Sequence, residues 1–104
     1  MDVPTFDVDS LHINFDRHEV TLDGKPVELY ESEYRVLVTL VLHQGELLSA
    51  TDVSGLYDDD PGWLNPSRMR HIAPRIREKL GWDGDDSPLE IVEGQGYRFR
   101  QRRS

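Results

Sequence analysis

The run NPSRMRHIAPRIREKL, Asn65 to Leu80, decides the fold. Met69, Ile72, Ala73, Ile76 and Leu80 recur at helical spacing, so one face of a helix is apolar. Asn65 followed by Pro66 reads as an N-cap and a proline at the first helical position, where its missing N–H costs nothing. Off the apolar stripe the helix is basic, with Arg68, Arg70, His71, Arg75, Arg77 and Lys79 against Glu78 alone. Arg68 and Arg75 are seven residues apart, as are Arg70 and Arg77, so each pair stacks two turns apart on one flank of the exposed face. Such a helix suits entry into a DNA major groove, where arginine offers charge to phosphate and a bidentate fork to guanine. The alternative is a solvated face whose arginines pair with acids of the same chain.

Downstream, IVEGQGYRFR (Ile91 to Arg100) predicts a hairpin whose glycines, Gly94 and Gly96, suit a tight reversal. Side chains alternate on the return strand, so Tyr97, Phe99 and Gln101 share one face and Arg98, Arg100 and Arg102 the other. The arginines read either as a backbone-gripping ladder that extends the basic helix or as protection of an edge strand. An acid, Glu93, stands at the tip.

Upstream, the first thirty residues alternate apolar and polar in four bursts: Phe6 and Val8; Leu11, Ile13 and Phe15; Val20 and Leu22; Val27 and Leu29. With Asp23-Gly24 marking a type I′ turn, they predict a four-stranded antiparallel meander over residues 1–30. The apolar stretch Tyr34 to Leu42 predicts a helix from Glu31, buried on most sides, with Gly45 as its C′ residue; its β-branched residues leave a strand as the alternative. Leu47 and Leu48 suggest a short strand, and Ser49 with Asp52 an N-cap and its N3 acid opening a short helix through Tyr57. Three helices thus fall within residues 31–80, and the hairpin within 89–101.

The chain has 104 residues and no cysteine, which predicts a single domain, residues 1–104, with neither disulfides nor a thiolate metal site. It contains no apolar run long enough for a membrane span and no secretory leader, so the expectation is a cytoplasmic protein with no membrane partner. The net charge of −8 opposes nucleic-acid binding if averaged, but it is polarised: residues 1–65 carry three basic and fourteen acidic side chains, residues 66–104 nine and six. Asp58 to Asp60 and Asp83 to Asp86 lack EF-hand spacing, the four histidines show no metal pattern, and no nucleophile triad or phosphate loop is present. The sequence therefore predicts no enzyme, no cofactor and no metal.

Four motifs in order resemble one family. LDGKPVEL (Leu22–Leu29), SEYRVLVTL (Ser32–Leu40), RIREKL (Arg75–Leu80) and GQGYRF (Gly94–Phe99) are similar to the turn, first-helix, recognition-helix and wing motifs of the OmpR/PhoB-type winged-helix effector domain of bacterial two-component response regulators. The resemblance runs from about Phe6 to Phe99. It implies an α+β winged helix-turn-helix: an N-terminal four-stranded antiparallel sheet, three helices and a C-terminal β-hairpin wing. It implies transcription regulation by sequence-specific binding of double-stranded DNA: Arg75 and Arg77 match arginines that the family uses on DNA, Arg68 and Arg70 are basic additions in the same third helix with His71 as a pH-sensitive helper, and Arg98 and Arg100 are the expected contacts of the wing. It further implies a polymerase-facing loop holding Asp58, Asp59, Asp60 and Trp63, with RNA polymerase or a sigma factor as partner, and homodimers in tandem on direct repeats.

The departures from the pattern carry their own expectations. Pro74 removes the backbone donor to residue 70, a disruption of about 3 kcal/mol in an ordinary helix, so a kink or restart is expected there. Tyr30 stands at an N-cap position usually held by threonine and cannot act as one, which would shift the helix start to Ser32. Glu93 replaces an arginine common before the first wing glycine and repels phosphate. The length leaves no room for a receiver domain, which implies an excised effector half or a regulator not switched by phosphorylation in the usual way. The rival reading is a winged helix that binds RNA polymerase or another regulator, with weak or no DNA affinity.

Overall fold

A computed structural model of the chain describes residues 5–8, 10–57, 63–82 and 87–100. Four short strands, β1 (Thr5–Val8), β2 (Leu11–Asn14), β3 (Glu19–Leu22) and β4 (Lys25–Val27), pair antiparallel in chain order. Their register follows from the turns. Asp23 and Gly24 both hold positive φ, +53° and +79°, so a two-residue turn closes the Leu22–Lys25 pair. The β2–β3 turn is fixed by the Asn14 side chain, whose Oδ1 accepts from the backbone N–H groups of Asp16 and Arg17, both at 3.0 Å. Leu11, Ile13 and Val20 consequently point to one buried face.

Three helices follow: α1 (Glu31–Leu42), α2 (Ala50–Tyr57) and α3 (Pro66–Lys79). The near-continuous apolar run of α1 buries every residue from Val36 to Val41, and α1 packs against both other helices. Thr39 is tolerated there because its hydroxyl donates to the Arg35 carbonyl at 2.8 Å. α2 opens on a reciprocal pair: the Asp52 N–H donates to Ser49 Oγ and the Ser49 N–H to Asp52 Oδ2, both at 3.1 Å. Asn65 Oδ1 caps α3 by accepting from the Arg68 N–H at 2.8 Å. At its other end, Gly81 in a left-handed conformation (φ +69°) lets its own N–H reach the Glu78 carbonyl and the Trp82 N–H reach that of Arg77.

A hairpin of β5 (Leu89–Val92) and β6 (Gly96–Phe99) completes the fold, turning through Glu93, Gly94 and Gln95. Leu89 and Phe99 enter the core, where the Phe99 ring lies 5.9 Å from that of Trp82. Gly96 presses against the backbone before α2, and a Cβ there would stand 2.5 Å from the Leu48 carbonyl oxygen. The contact is close because Leu48 and Tyr97 exchange both backbone hydrogen bonds, at 2.8 and 2.7 Å.

Several expectations are corrected. α1 starts at Glu31 rather than Ser32: Tyr30 supplies no side-chain cap, but its N–H donates to Glu33 Oε1 at 2.9 Å, so the first turn is closed from the N3 side. The helix ends at Leu42 with His43 as C-cap, and Gly45 lies two residues beyond the cap, donating its N–H to the Phe99 carbonyl at 2.8 Å. Leu47 and Leu48 form no strand, and only Leu48 bridges to the hairpin. Nor is α3 restarted at Pro74: it runs as one helix, anchored by the buried Met69, Ile72, Ala73 and Ile76 on both sides of the proline. The expected acidic loops Asp58 to Asp60 and Asp83 to Asp86, and Gln101 and Arg102, lie outside the described residues.

One polar contact ties the helices together. Glu33 is 1% exposed, and Lys79 reaches from the last turn of α3 to place Nζ 2.6 Å from Glu33 Oε1 and 4.3 Å from the centroid of the Tyr30 ring. Replacing Lys79 with alanine leaves a buried carboxylate without its cation. We expect a loss of about 2–3 kcal/mol in urea unfolding, the low side for a buried pair because the lysine is partly solvated. Gly96→Ala is expected to cost about 2 kcal/mol in the same measurement, since either the hairpin or the Leu48 backbone must move; an unchanged midpoint would contradict the close contact.

Candidate nucleic-acid interface

α3 presents its basic side chains because its other face is fully used by the core. Arg68, Arg70, His71 and Arg75 are exposed. None of the three arginines has an ion-pair partner among the described residues, so the pairing of these arginines with the acidic half of the chain is not seen there. Arg77 differs: it is half-buried, and its Nε donates to the Trp82 carbonyl at 3.3 Å, just past the end of the helix. It ties the start of the segment that follows α3 back to the last turn of the helix.

The N-terminal half of α3 meets the hairpin across a groove of about 690 Å³, lined by Ser49 to Thr51 at the start of α2, by Pro66 and Arg70, and by Ile91 to Tyr97. Glu93 is exposed on this groove with Arg70. The basic helix and the hairpin tip thus share one surface. The arginine ladder does not extend it unopposed, because Glu90 lies opposite Arg98 in the register. Arg98 Nε donates to Glu90 Oε1 at 2.8 Å, and Arg100 donates to Oε2 at 3.4 Å. The hydrogen bond from Arg98 holds the Glu90 carboxyl below the usual carboxylate range, against the opposing effect of partial burial.

Trp63 is half-buried rather than displayed. Its Nε1 donates to the Ser54 carbonyl at 3.3 Å, it stands edge-on to Tyr57, and the Arg35 guanidinium lies 5.1 and 5.4 Å from the Tyr57 and Trp63 ring centroids. Arg35 also binds Glu31, which His18 engages from the β2–β3 turn while stacking on Tyr34 at 4.5 Å. Burial pushes Glu31 up, but the hydrogen bonds from His18 and Arg35 outweigh it and its carboxyl titrates low; burial, with Tyr57 and Glu31 nearby, pushes the Tyr34 hydroxyl up to about 12.

Among the described residues no helix is long and apolar enough to cross a membrane. Sequence reasoning missed the roles of Glu90 and Lys79. Counting the hairpin register back from the turn places Glu90 opposite Arg98, but the Lys79–Glu33 contact joins residues 46 apart and has no local signal.

A family described as "Transcriptional regulatory protein, C terminal" matches residues 24–99. The two-component response regulator PhoP of Pseudomonas aeruginosa is 29% identical over 99 residues, covering 94% of this chain and 44% of its own length. The chain spans less than half the length of the curated relatives it matches. Among solved structures, the DNA-binding domain of CpxR from E. coli superimposes with a TM-score of 0.76 at 28% identity, over 96% of this chain and 99% of that one. The DNA-binding domain of Klebsiella pneumoniae RstA, solved in complex with the RstA box, shares the fold with a TM-score of 0.77 at 22% identity, over 92% and 96% of the two chains.

The Glu90 pairing has a pH consequence. Because its folded pKa lies below the unfolded one, the stabilisation is present above the ordinary glutamate pKa and is lost as the pH falls through the lowered folded value. In an NMR titration we expect the Glu90 carboxyl to titrate below a free glutamate, with the protection of the β5–β6 amides, relative to their intrinsic exchange at each pH, falling over the same interval. A midpoint at the free value would refute the pairing in solution.

Proposed function

The chain belongs to the family of transcriptional regulatory protein C-terminal domains, of the OmpR/PhoB winged-helix type, and from that premise we propose that it binds double-stranded DNA with α3 in the major groove and the β5–β6 hairpin as a wing on the adjacent backbone. The observation that carries the reading is the set of exposed α3 arginines, Arg68, Arg70 and Arg75, without ion-pair partners among the described residues, of which Arg70 borders the groove shared with the wing. Uncompensated guanidinium groups on a helix face are what phosphate binding requires, and the net negative charge of the chain opposes it only at a distance. His71 lies on the same face, while Arg77 supports it from the C-terminal end of α3. Arg98 and Arg100 reach phosphate from the wing only in competition with Glu90, which makes the wing the weaker contact. The loop with Asp58, Asp59, Asp60 and Trp63 is assigned to contact with RNA polymerase or sigma factor, and homodimers on direct repeats complete the reading; both rest on the family likeness.

A second reading, a winged helix whose hairpin binds a protein, is favoured by one feature: the acid Glu93 at the tip and the neutralised arginines behind it. Fluorescence anisotropy on duplex DNA at increasing salt separates the two. For the DNA reading, log affinity falls linearly with log salt, and the Arg70→Ala/Arg75→Ala variant flattens the slope by about 0.9 for each phosphate it no longer neutralises. Glu93→Arg then tightens binding. Absence of binding at low salt, or a slope unaffected by the double variant, would transfer the function to a protein partner.

A further inference from the structure

The arginines of α3 do not occupy the crest of its exposed face. Met69, Ile72, Ala73 and Ile76 fix the buried direction, and at about 100° per residue the line opposite them runs through Ser67, His71, Pro74 and Glu78, spaced by four, three and four residues. All four are exposed. Arg70 and Arg77 fall on one side of this line and Arg68 and Arg75 on the other. A helix seated in the major groove with this face inward turns its flanks to the two phosphate walls and its crest to the base edges. The flanks then supply charge, and the crest supplies selectivity.

At the centre of the crest stands Pro74. Its ring offers only CH2 groups, with no donor or acceptor and no backbone N–H. A mid-helix proline opposes helix formation, yet α3 continues through it. Of the groups that base pairs show in the major groove, the thymine 5-methyl is the one projecting apolar group; cytosine offers only a C–H edge there, and the donors and acceptors would lose water to the proline ring without replacement. We propose that Pro74 is a specificity-determining residue that packs against a thymine 5-methyl group and disfavours other bases at that position. The inference rests on the DNA-binding reading and deepens it: the α3 arginines hold the duplex, and a residue without any polar side-chain atom selects the base.

The test removes one methyl group from the DNA. Duplexes enriched by this chain from a random library of unmodified synthetic DNA are remade with single thymines replaced by deoxyuridine, which keeps every hydrogen-bonding group. We expect one thymine per bound copy at which the replacement weakens binding roughly four-fold, the worth of burying one methyl group. In Pro74→Ser that thymine and its deoxyuridine analogue should bind equally, while the salt dependence set by the flanking arginines is unchanged; a merely structural role for the proline would leave the discrimination in place. Enrichment without any methyl-sensitive thymine, or discrimination that persists in Pro74→Ser, overturns the inference alone. Failure to enrich any duplex at low salt overturns the DNA-binding reading and this inference with it.

Discussion

Between the first turn of α1 and the last turn of α3, the Glu33 carboxylate and the Lys79 ammonium meet 2.6 Å apart, and the placement of the basic helix depends on that contact. The remainder of the α1–α3 contact is apolar and non-directional, and apolar faces can slide. A buried charge cannot, because any displacement strands the carboxylate. Glu33 Oε1 serves two partners, the Tyr30 N–H and Lys79, whereas Oε2 is buried without a hydrogen-bond partner among the described residues. Such a pair adds little net stability once desolvation is counted, but it fixes register well. The Lys79 ammonium also lies over the Tyr30 ring, so the residue that fails as a side-chain cap contributes as a cation–π partner.

The sheet, the three helices and the hairpin were legible in the sequence because each carries a local signal: alternation of two in Leu11 and Ile13, the spacing from Met69 to Ile76, the Asp23-Gly24 and Gly94 turns. What could not be read were contacts between residues distant along the chain. Nothing in its local pattern singled out Glu33, and Lys79 read as one more basic residue off the apolar stripe of α3. Helix boundaries moved for a related reason: Tyr30 is a poor cap by its own chemistry, but Glu33 closes the turn from the other side. Propensity also misjudged Pro74, since four buried residues of α3 pack on the core and tertiary packing overrides a single unfavourable position. At the interface, composition identified α3 correctly as the basic helix, yet it treated all arginines alike. Geometry separates Arg77, turned onto a carbonyl, and Arg98, held by Glu90, from those left to solvent.

Charge is distributed in two tiers. The acidic side chains of residues 1–65 give the whole chain its sign, while the basic excess of residues 66–104 is carried by α3 and by Arg102 and Arg103, the hairpin's Arg98 and Arg100 being matched by Glu90 and Glu93. At long range such a molecule approaches a polyanion weakly, but its asymmetry orients it, with the basic elements leading. At short range the pairing of Glu90 with Arg98 and Arg100 holds the hairpin's charge in reserve.

The hairpin is hooked to the body of the fold through its return strand, where Gly96 lies against the Leu48 carbonyl and Tyr97 exchanges hydrogen bonds with Leu48. The tip residues Glu93 and Gln95 are exposed and lie just before that hook. Placement and chemistry are consequently separable: residue 96 cannot drift without shifting the strand, whereas residues 93 and 95 can change their charge without disturbing where the hairpin sits. The tip is an interchangeable bit on a fixed shank, and the acid now at Glu93 can be exchanged, by evolution or by an engineer, without rebuilding the tool.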